Sequence, residues 1–142
     1  MHELTEKSRE ILIKNGYTAV LCSEDKIYHS TERGVKPLLD FLESGEDFKG
    51  FSAADKTVGL GAAHLYILLG VCEIWAGVIS EDAKSLLEQN GISVFYDDEV
   101  PFIINRKGDG RCPIETAVLG TTDSKDALTK IKQALKSLND KK

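Results

Sequence analysis

The chain has 142 residues, of which 42% are hydrophobic and 29% are charged, and its formal net charge is -5. This profile predicts one soluble globular domain with a core of its own. The acidic balance argues against nucleic-acid binding, which needs a basic face, and no apolar run approaches the ~20 residues of a membrane span. The first residues lack the basic end and apolar stretch of a signal peptide, so a cytoplasmic location is expected.

The first third of the chain predicts a helix, a hairpin and a second helix. Residues 3–15 carry apolar side chains among charges and end at an Asn-Gly pair, which is typical of an amphipathic helix. Residues 17–22 and 27–30 are rich in β-formers and are separated by a polar turn, a pattern that predicts a hairpin. Lys36-Pro37 then begins a short helix, because proline suits a first helical turn.

One long helix is predicted over residues 52–69, ending at Gly70. It is rich in small residues and contains Gly59 and Gly61. Glycine within a helix costs about 0.5–1 kcal/mol relative to alanine. The two glycines therefore indicate that the helix backbone closely approaches another part of the fold, most simply the sheet.

The second half predicts a strand, helix and strand, followed by shorter elements. Residues 71–79 and 92–96 read as buried strands, and Ser80 caps the helix between them. Such a unit requires a right-handed crossover and a parallel strand pair. Residues 100–104 predict an edge strand, and helices follow Pro113 and cover residues 124–138. The sequence therefore predicts a three-layer α/β sandwich with a mixed sheet and helices on both faces.

The beginning of the predicted central helix is one candidate site. Ser52 and Asp55 have the spacing of a capping box, which needs no function. Lys56 would lie in the first turn, where a cation opposes the helix dipole by roughly 0.3–1 kcal/mol. A bound anion would compensate that penalty, so Lys56 is a candidate ligand-binding residue and Asp55 a candidate general base. A tolerated surface lysine is the alternative.

The glycine-rich loop before the next helix is the second candidate. Its glycines can adopt positive φ and expose backbone N–H groups to an anion, although an ordinary turn with solvated charges explains the same pattern. It matches neither a P-loop nor a dinucleotide fingerprint. Cys112, just before a helix, is a candidate nucleophile, and Glu115 a candidate general base. The candidate ligand-binding residues of this loop are Asn105, Arg106, Gly108, Gly110 and Arg111.

The three cysteines and three histidines give no metal-binding pattern. No pair of cysteines has the C-x-x-C spacing, so neither a disulfide framework nor a zinc ribbon is indicated. His64 stands alone amid apolar residues of the predicted helix. The acidic run at residues 97–99 reads as a solvated turn between strands, because the spacing of a calcium loop is missing.

The order of these elements resembles the cytidine-deaminase-like fold. More narrowly, the chain resembles the DUF1893 family of uncharacterised prokaryotic proteins, which is placed in that superfamily. The resemblance spans roughly residues 15 to 120. The stretches that carry it are GVKPLLDFL (34–42), ADKTVGLGAA (54–63), VISEDAKSLLEQNGI (78–92) and PFIINRKGDGRCPIE (101–115).

The resemblance implies a single deaminase-like domain over residues 1–142, but not deaminase chemistry. Deaminases hold zinc with His-x-Glu at the start of the central helix and Pro-Cys-x-x-Cys at the start of the next. Here the corresponding segments read ADK at residues 54–56 and SEDA at residues 80–83, without histidine or cysteine. Neither a metal nor another cofactor is therefore expected.

The leading hypothesis is a small-ligand protein on a deaminase-like scaffold, with an anionic or nucleotide-like ligand held where the two candidate sites meet. If it is an enzyme, which the sequence does not decide, Asp55, Lys56, Cys112 and Glu115 are the candidate catalytic residues. The alternative is a non-catalytic sensor or accessory protein that docks on a protein partner. Exposed edge strands would allow a homodimer.

Overall fold

The computed structural model describes residues 1–104, 108 and 110–140. Among the helices of these residues, none combines the length and hydropathy that a bilayer span requires. In chain order the elements are α1 (Glu3–Asn15), β1 (Ala19–Cys22), β2 (Ile27–Ser30), α2 (Lys36–Glu43), β3 (Ser52–Val58), α3 (Leu60–Leu69), β4 (Glu73–Ser80), α4 (Glu81–Gln89), β5 (Ser93–Val100), α5 (Pro113–Val118) and α6 (Ser124–Asp140).

The strands form one mixed sheet of five strands in the order β2-β1-β3-β4-β5. β1 is antiparallel to β2 and β3, whereas β3, β4 and β5 are mutually parallel. Helix α1 covers one face through a small core of Leu12, Val20, Ala54 and Trp75. The main core lies on the other face, under the remaining helices. The predicted three-layer α/β sandwich with helices on both faces is therefore confirmed.

Several element boundaries follow from local sequence signals. Helix α1 ends at Gly16, whose φ of 67° lets its N–H reach the carbonyl oxygen of Leu12. Ser80 caps α4 by accepting a hydrogen bond from the N–H of Ala83 at 3.2 Å. Pro37 lies in the first turn of α2. These boundaries agree with the predictions from sequence.

The predicted helix over residues 52–69 is wrong in its first half. Ser52–Val58 is the central strand β3, and the helix begins only after Gly59. Consequently Ser52 and Asp55 form no capping box, and Lys56 lies in a strand rather than in a first helical turn. The reason is that β3 pairs on both sides and is covered on both faces, so it lacks the polar–apolar alternation that marks a half-buried strand.

The close approach indicated by Gly59 and Gly61 is present, but the partner is not the sheet. A Cβ added at Gly61 would lie 2.7 Å from the side chain of Ile114 in α5. One added at Gly59 would lie 3.0–3.2 Å from Ile103 and Glu115. Both glycines therefore let the beginning of α3 pack closely against the segment around α5.

Two predictions around β5 also need correction. Residues 100–104 form no strand, because β5 ends at Val100 and Ile104 makes only an isolated bridge with Arg111. The acidic run at residues 97–99 lies within β5 and not in a turn. β5 is the last strand of the sheet, so its outward-facing charges remain in solvent.

Gly77 allows β4 to pass close to β3 beside Lys56. A Cβ at position 77 would lie 2.7 Å from the carbonyl oxygen of Lys56. We therefore expect Gly77→Ala to lower the free energy of unfolding, measured by urea denaturation, by about 1–3 kcal/mol. Ser93→Ala, at an exposed position on the neighbouring strand β5, is the control, because it adds no atom to the sheet. Equal losses in the two variants would contradict this explanation.

Candidate functional site

A pocket of about 370 Å³ lies where β3 ends and α3 begins. The carboxyl ends of parallel strands are a common place for ligands in α/β folds. Four separate parts of the chain supply its walls: Thr18 just before β1, the connection between β2 and α2, the β3–α3 junction, and Ile103 together with the start of α5. The lining residues are Thr18, Arg33, Gly34, Val35, Asp55, Lys56, Thr57, Gly59, Gly61, Ala62, Ile103, Cys112, Ile114 and Glu115.

The structure brings the two candidate sites from the sequence together in this pocket. Asp55 and Lys56 reach it from β3, although from a strand rather than a helix start, and Cys112 and Glu115 reach it from the beginning of α5. Asn105 and Arg106 lie outside the described residues. Gly108, Gly110 and Arg111 are described but are not part of the lining, and Gly108 has the predicted positive φ, 75°.

Asp55 is a buried carboxyl group beneath the pocket, with 8% of its surface exposed. One oxygen, Oδ2, accepts a hydrogen bond from the Tyr66 hydroxyl at 2.6 Å, and the other, Oδ1, accepts one from the N–H of Thr57 at 3.2 Å. Burial raises the pKa of Asp55 to about 7, and these hydrogen bonds only partly offset it. The pKa of the Tyr66 hydroxyl is raised too, by burial and then by the charge of Asp55. Asp55 can therefore exchange a proton near neutral pH.

Glu115 holds two backbone segments together at the rim of the pocket. It is 3% exposed, and its Oε1 accepts a hydrogen bond from the N–H of Leu60 at 3.1 Å. Its Oε2 accepts one from the N–H of Ile103 at 2.8 Å. Because α3 has no side-chain cap of its own, Glu115 supplies that cap from a distant position. Both oxygens thus have a structural role, and the general-base role stays a prediction.

The positive charge of the pocket comes from Lys56 and Arg33, which are both exposed. Among the described residues, neither side chain forms an ion pair. Sequence reasoning missed Arg33. Its only signal was its place before Gly34, whose φ of 66° turns the chain into α2.

Cys112 lines the pocket, whereas its neighbour Arg111 does not. Cys112 is half-buried, lines the pocket, and donates its backbone N–H to the carbonyl oxygen of Ile103 at 2.9 Å. The guanidinium of Arg111 instead lies over the ring of Phe102, 4.7 Å from its centroid. Cys112 is therefore part of the pocket lining, and its role as a nucleophile stays a prediction.

The residues at the helix starts do not fit the zinc site of deaminases. Helix α3 begins with Leu60-Gly61-Ala62, and α4 with Glu81-Asp82-Ala83, so neither first turn offers a histidine or cysteine ligand. His64 is in α3, but it is buried and its Nδ1 lies 3.0 Å from the hydroxyl of Ser124. Within the described ranges, no three histidine, cysteine or acidic side chains cluster as metal ligands would.

The mixed sheet, with helices on both faces, defines an α/β domain that has a pocket at the carboxyl ends of its parallel strands. The family model of TM1506, a domain of unknown function (DUF1893), matches residues 7–135. The chain therefore belongs to the DUF1893 family, which confirms the resemblance found in the sequence.

The solved structures that are similar to the chain include two from different proteins. One is the crystal structure of a DUF1893 family protein (TM1506) from Thermotoga maritima, with a TM-score of 0.84 and 28% identity, covering 96% of this chain and 91% of that one. The other, similar in fold alone, is the dCMP deaminase from the cyanophage S-TIM5 in apo form, with a TM-score of 0.45 and 14% identity, covering 68% of this chain and 94% of that one. No curated protein matches the sequence.

Proposed function

We propose that the pocket binds a small anionic molecule, with Lys56 and Arg33 as its cationic contacts and Asp55 as a group that takes up or releases a proton. The observation that carries this proposal is that two cationic residues, Lys56 of β3 and Arg33 of the β2–α2 connection, line the same pocket beside a buried carboxyl group.

The chemistry of the two cations suits an anion with several oxygens. Arg33 offers a planar set of N–H donors that can hold a phosphate or carboxylate in a bidentate manner, whereas Lys56 offers a compact charge. The glycines at positions 34, 59 and 61 keep the pocket walls free of side chains at three places. A compact anion, including the phosphate of a nucleotide-like molecule, therefore fits the site.

Asp55 gives the site a group that can act in proton transfer. Its carboxyl lies beside the pocket, and the Tyr66 hydroxyl holds it in one orientation. A general acid or base works best when its pKa is near the working pH, and burial brings the pKa of Asp55 to about 7. If the bound anion is a substrate, Asp55 is the residue that would move the proton.

The test is a titration of the protein with inorganic phosphate, pyrophosphate and a nucleoside monophosphate. Binding is monitored by the change in melting temperature and by ¹⁵N-resolved NMR. We expect at least one of these anions to bind, and Lys56→Ala and Arg33→Ala each to weaken binding about tenfold, because each removes a charge-assisted contact. The largest changes in amide chemical shift should occur at residues of the β3–α3 junction.

Lys14→Ala serves as the matched control for this titration. Lys14 is an exposed lysine in the last turn of α1, which covers the opposite face of the sheet. The Lys14→Ala substitution changes the net charge as Lys56→Ala does, but it leaves the pocket intact. If Lys14→Ala weakens binding as much as Lys56→Ala does, or no anion binds, the proposal fails.

A non-catalytic accessory protein that docks on a partner is the second candidate. The observation that favours it is a run of four apolar residues beside the pocket, Pro101 to Ile104, of which Ile104 is 59% exposed. Exposed apolar patches often mark interaction sites.

A further inference from the structure

A second hollow of about 460 Å³ adjoins the anion pocket and has a different character. Among its described lining residues only Thr57 is polar. Thr57 and Ile103 line both hollows, so the two are adjacent. The lining residues are Thr57, Val78, Val100, Pro101, Phe102, Ile103 and Ile104.

The walls of this apolar hollow are held by the same contacts that build the anion pocket. Ile103 is fixed from both sides, since its N–H donates to Glu115 and its carbonyl oxygen accepts from Cys112. Phe102 is held by the guanidinium of Arg111 above its ring. The apolar surface is therefore preorganised rather than a loose patch, as ligand sites usually are.

We infer that the ligand is an organic anion with two parts, a phosphate or carboxylate group at Lys56 and Arg33 and one ring-sized apolar group in the adjoining hollow against Val78, Phe102 and Ile104. This inference rests on the proposed function. It extends that function by naming the class of molecule. A compact inorganic anion has no apolar part and does not belong to this class.

The adjacency of the two hollows and their different polarity favour a single ligand that occupies both. The cationic residues line the first hollow, the apolar residues line the second, and Thr57 and Ile103 line both. A ligand that fills only the anion pocket would leave Ile104, which is 59% exposed, in contact with water. Covering such apolar surface is favourable at about 25 cal/mol per Å².

The test compares matched anions that differ only in the apolar group. Methyl phosphate and phenyl phosphate are titrated by ¹⁵N-resolved NMR, and acetate and benzoate form a second arm that separates a phosphate site from a carboxylate site. We expect phenyl phosphate or benzoate to bind at least tenfold more tightly than its small counterpart. Tenfold corresponds to about 1.4 kcal/mol, which roughly 55 Å² of buried apolar surface would provide.

Ile104→Ser is the deciding variant. Ile104 is exposed, so this substitution should leave the fold unchanged. It should reduce the tenfold preference to less than threefold and leave the affinity for methyl phosphate or acetate unchanged. Thr116→Ser, an exposed position on α5 outside both hollows, is the control and should keep the full preference.

The outcomes separate this inference from the proposed function. Equal affinity for the small and ring-bearing anions, or a preference that survives in Ile104→Ser, would overturn the inference and leave the anion site standing. Binding of none of the four anions, together with the failure of the phosphate titration above, would remove both. Sedimentation measures the oligomeric state of the wild type and of Ile104→Ser. If the wild type is a dimer and the variant a monomer, the apolar hollow binds a second copy of the chain, and the inference is overturned as well.

Discussion

Replacing Glu115 with alanine is expected to lower the free energy of unfolding by about 3 kcal/mol, a large loss for a single substitution. The change removes the acceptor of two backbone N–H groups, those of Leu60 and Ile103, in a place where water has little access. Buried donors without partners are costly, and charged acceptors contribute more than neutral ones. Urea denaturation followed by circular dichroism measures the effect.

Two further variants test whether the loss comes from the hydrogen bonds of Glu115. Glu115→Gln keeps one acceptor oxygen and should lose about half as much, roughly 1.5 kcal/mol. Thr116→Ala, the exposed neighbour on the same helix, should stay within about 0.5 kcal/mol of the wild type. If Glu115→Ala proves no more harmful than Thr116→Ala, then Glu115 does not hold α3 and Ile103 together.

Asp55 is expected to make the stability of the protein fall as the pH rises. The pKa of Asp55 is about 7 in the folded chain, whereas its ordinary value, which applies to the unfolded chain, is 3.8. Between these two pH values the folded state therefore holds a proton that the unfolded state has lost. The resulting stability is fully present below pH 3.8 and is lost as the pH rises through about 7. Between pH 5 and pH 8 the loss amounts to about 3 kcal/mol, at 1.36 kcal/mol per pH unit.

Asp55→Asn isolates this effect, because an asparagine cannot ionise. The variant should show about 3 kcal/mol less loss between pH 5 and pH 8 than the wild type, and it should be the more stable protein at pH 8. Urea denaturation at the two pH values measures both quantities. The same pH dependence in both proteins would show that Asp55 is already ionised at pH 5 in the folded chain.

The comparison between variant and wild type also removes an opposing contribution from His64. Burial lowers the pKa of His64 from its ordinary value of 6.5. Its contribution to stability is therefore present above pH 6.5 and is lost as the pH falls, in the direction opposite to that of Asp55. Because His64 is present in both proteins, its effect cancels in the difference between them.

The sequence predicted most elements correctly where a local signal marks their ends. The Asn-Gly pair before β1, the proline of α2 and the serine cap of α4 act through the backbone of a few neighbouring residues, so they can be read without the fold. Strand β3 could not be read in this way. Its run of alanine, serine and aspartate is stabilised by neighbours on both sides of the sheet, and strand formation depends on such context more than on intrinsic preference.

The sequence predicted which residues belong to the candidate site better than it predicted how they are arranged. Asp55, Lys56, Cys112 and Glu115 do line one pocket, although the helix dipole invoked for Lys56 does not act on a strand residue. The Tyr66 hydroxyl that orients Asp55 was not predicted, because a contact between a strand and the helix after it depends on the packing angle. Arg33 was missed for a similar reason, since its loop meets β3 only in the folded chain.

The way the chain closes behind the pocket wall has a consequence for variation within the family. Ile104 bridges to Arg111, and Cys112 bonds back to Ile103, so the two ends of the intervening segment are joined at its base. A change in the number of residues between positions 104 and 111 would be absorbed beyond that junction and would leave the wall in register. Related proteins could therefore differ in the length of this segment without a change in the domain beneath it.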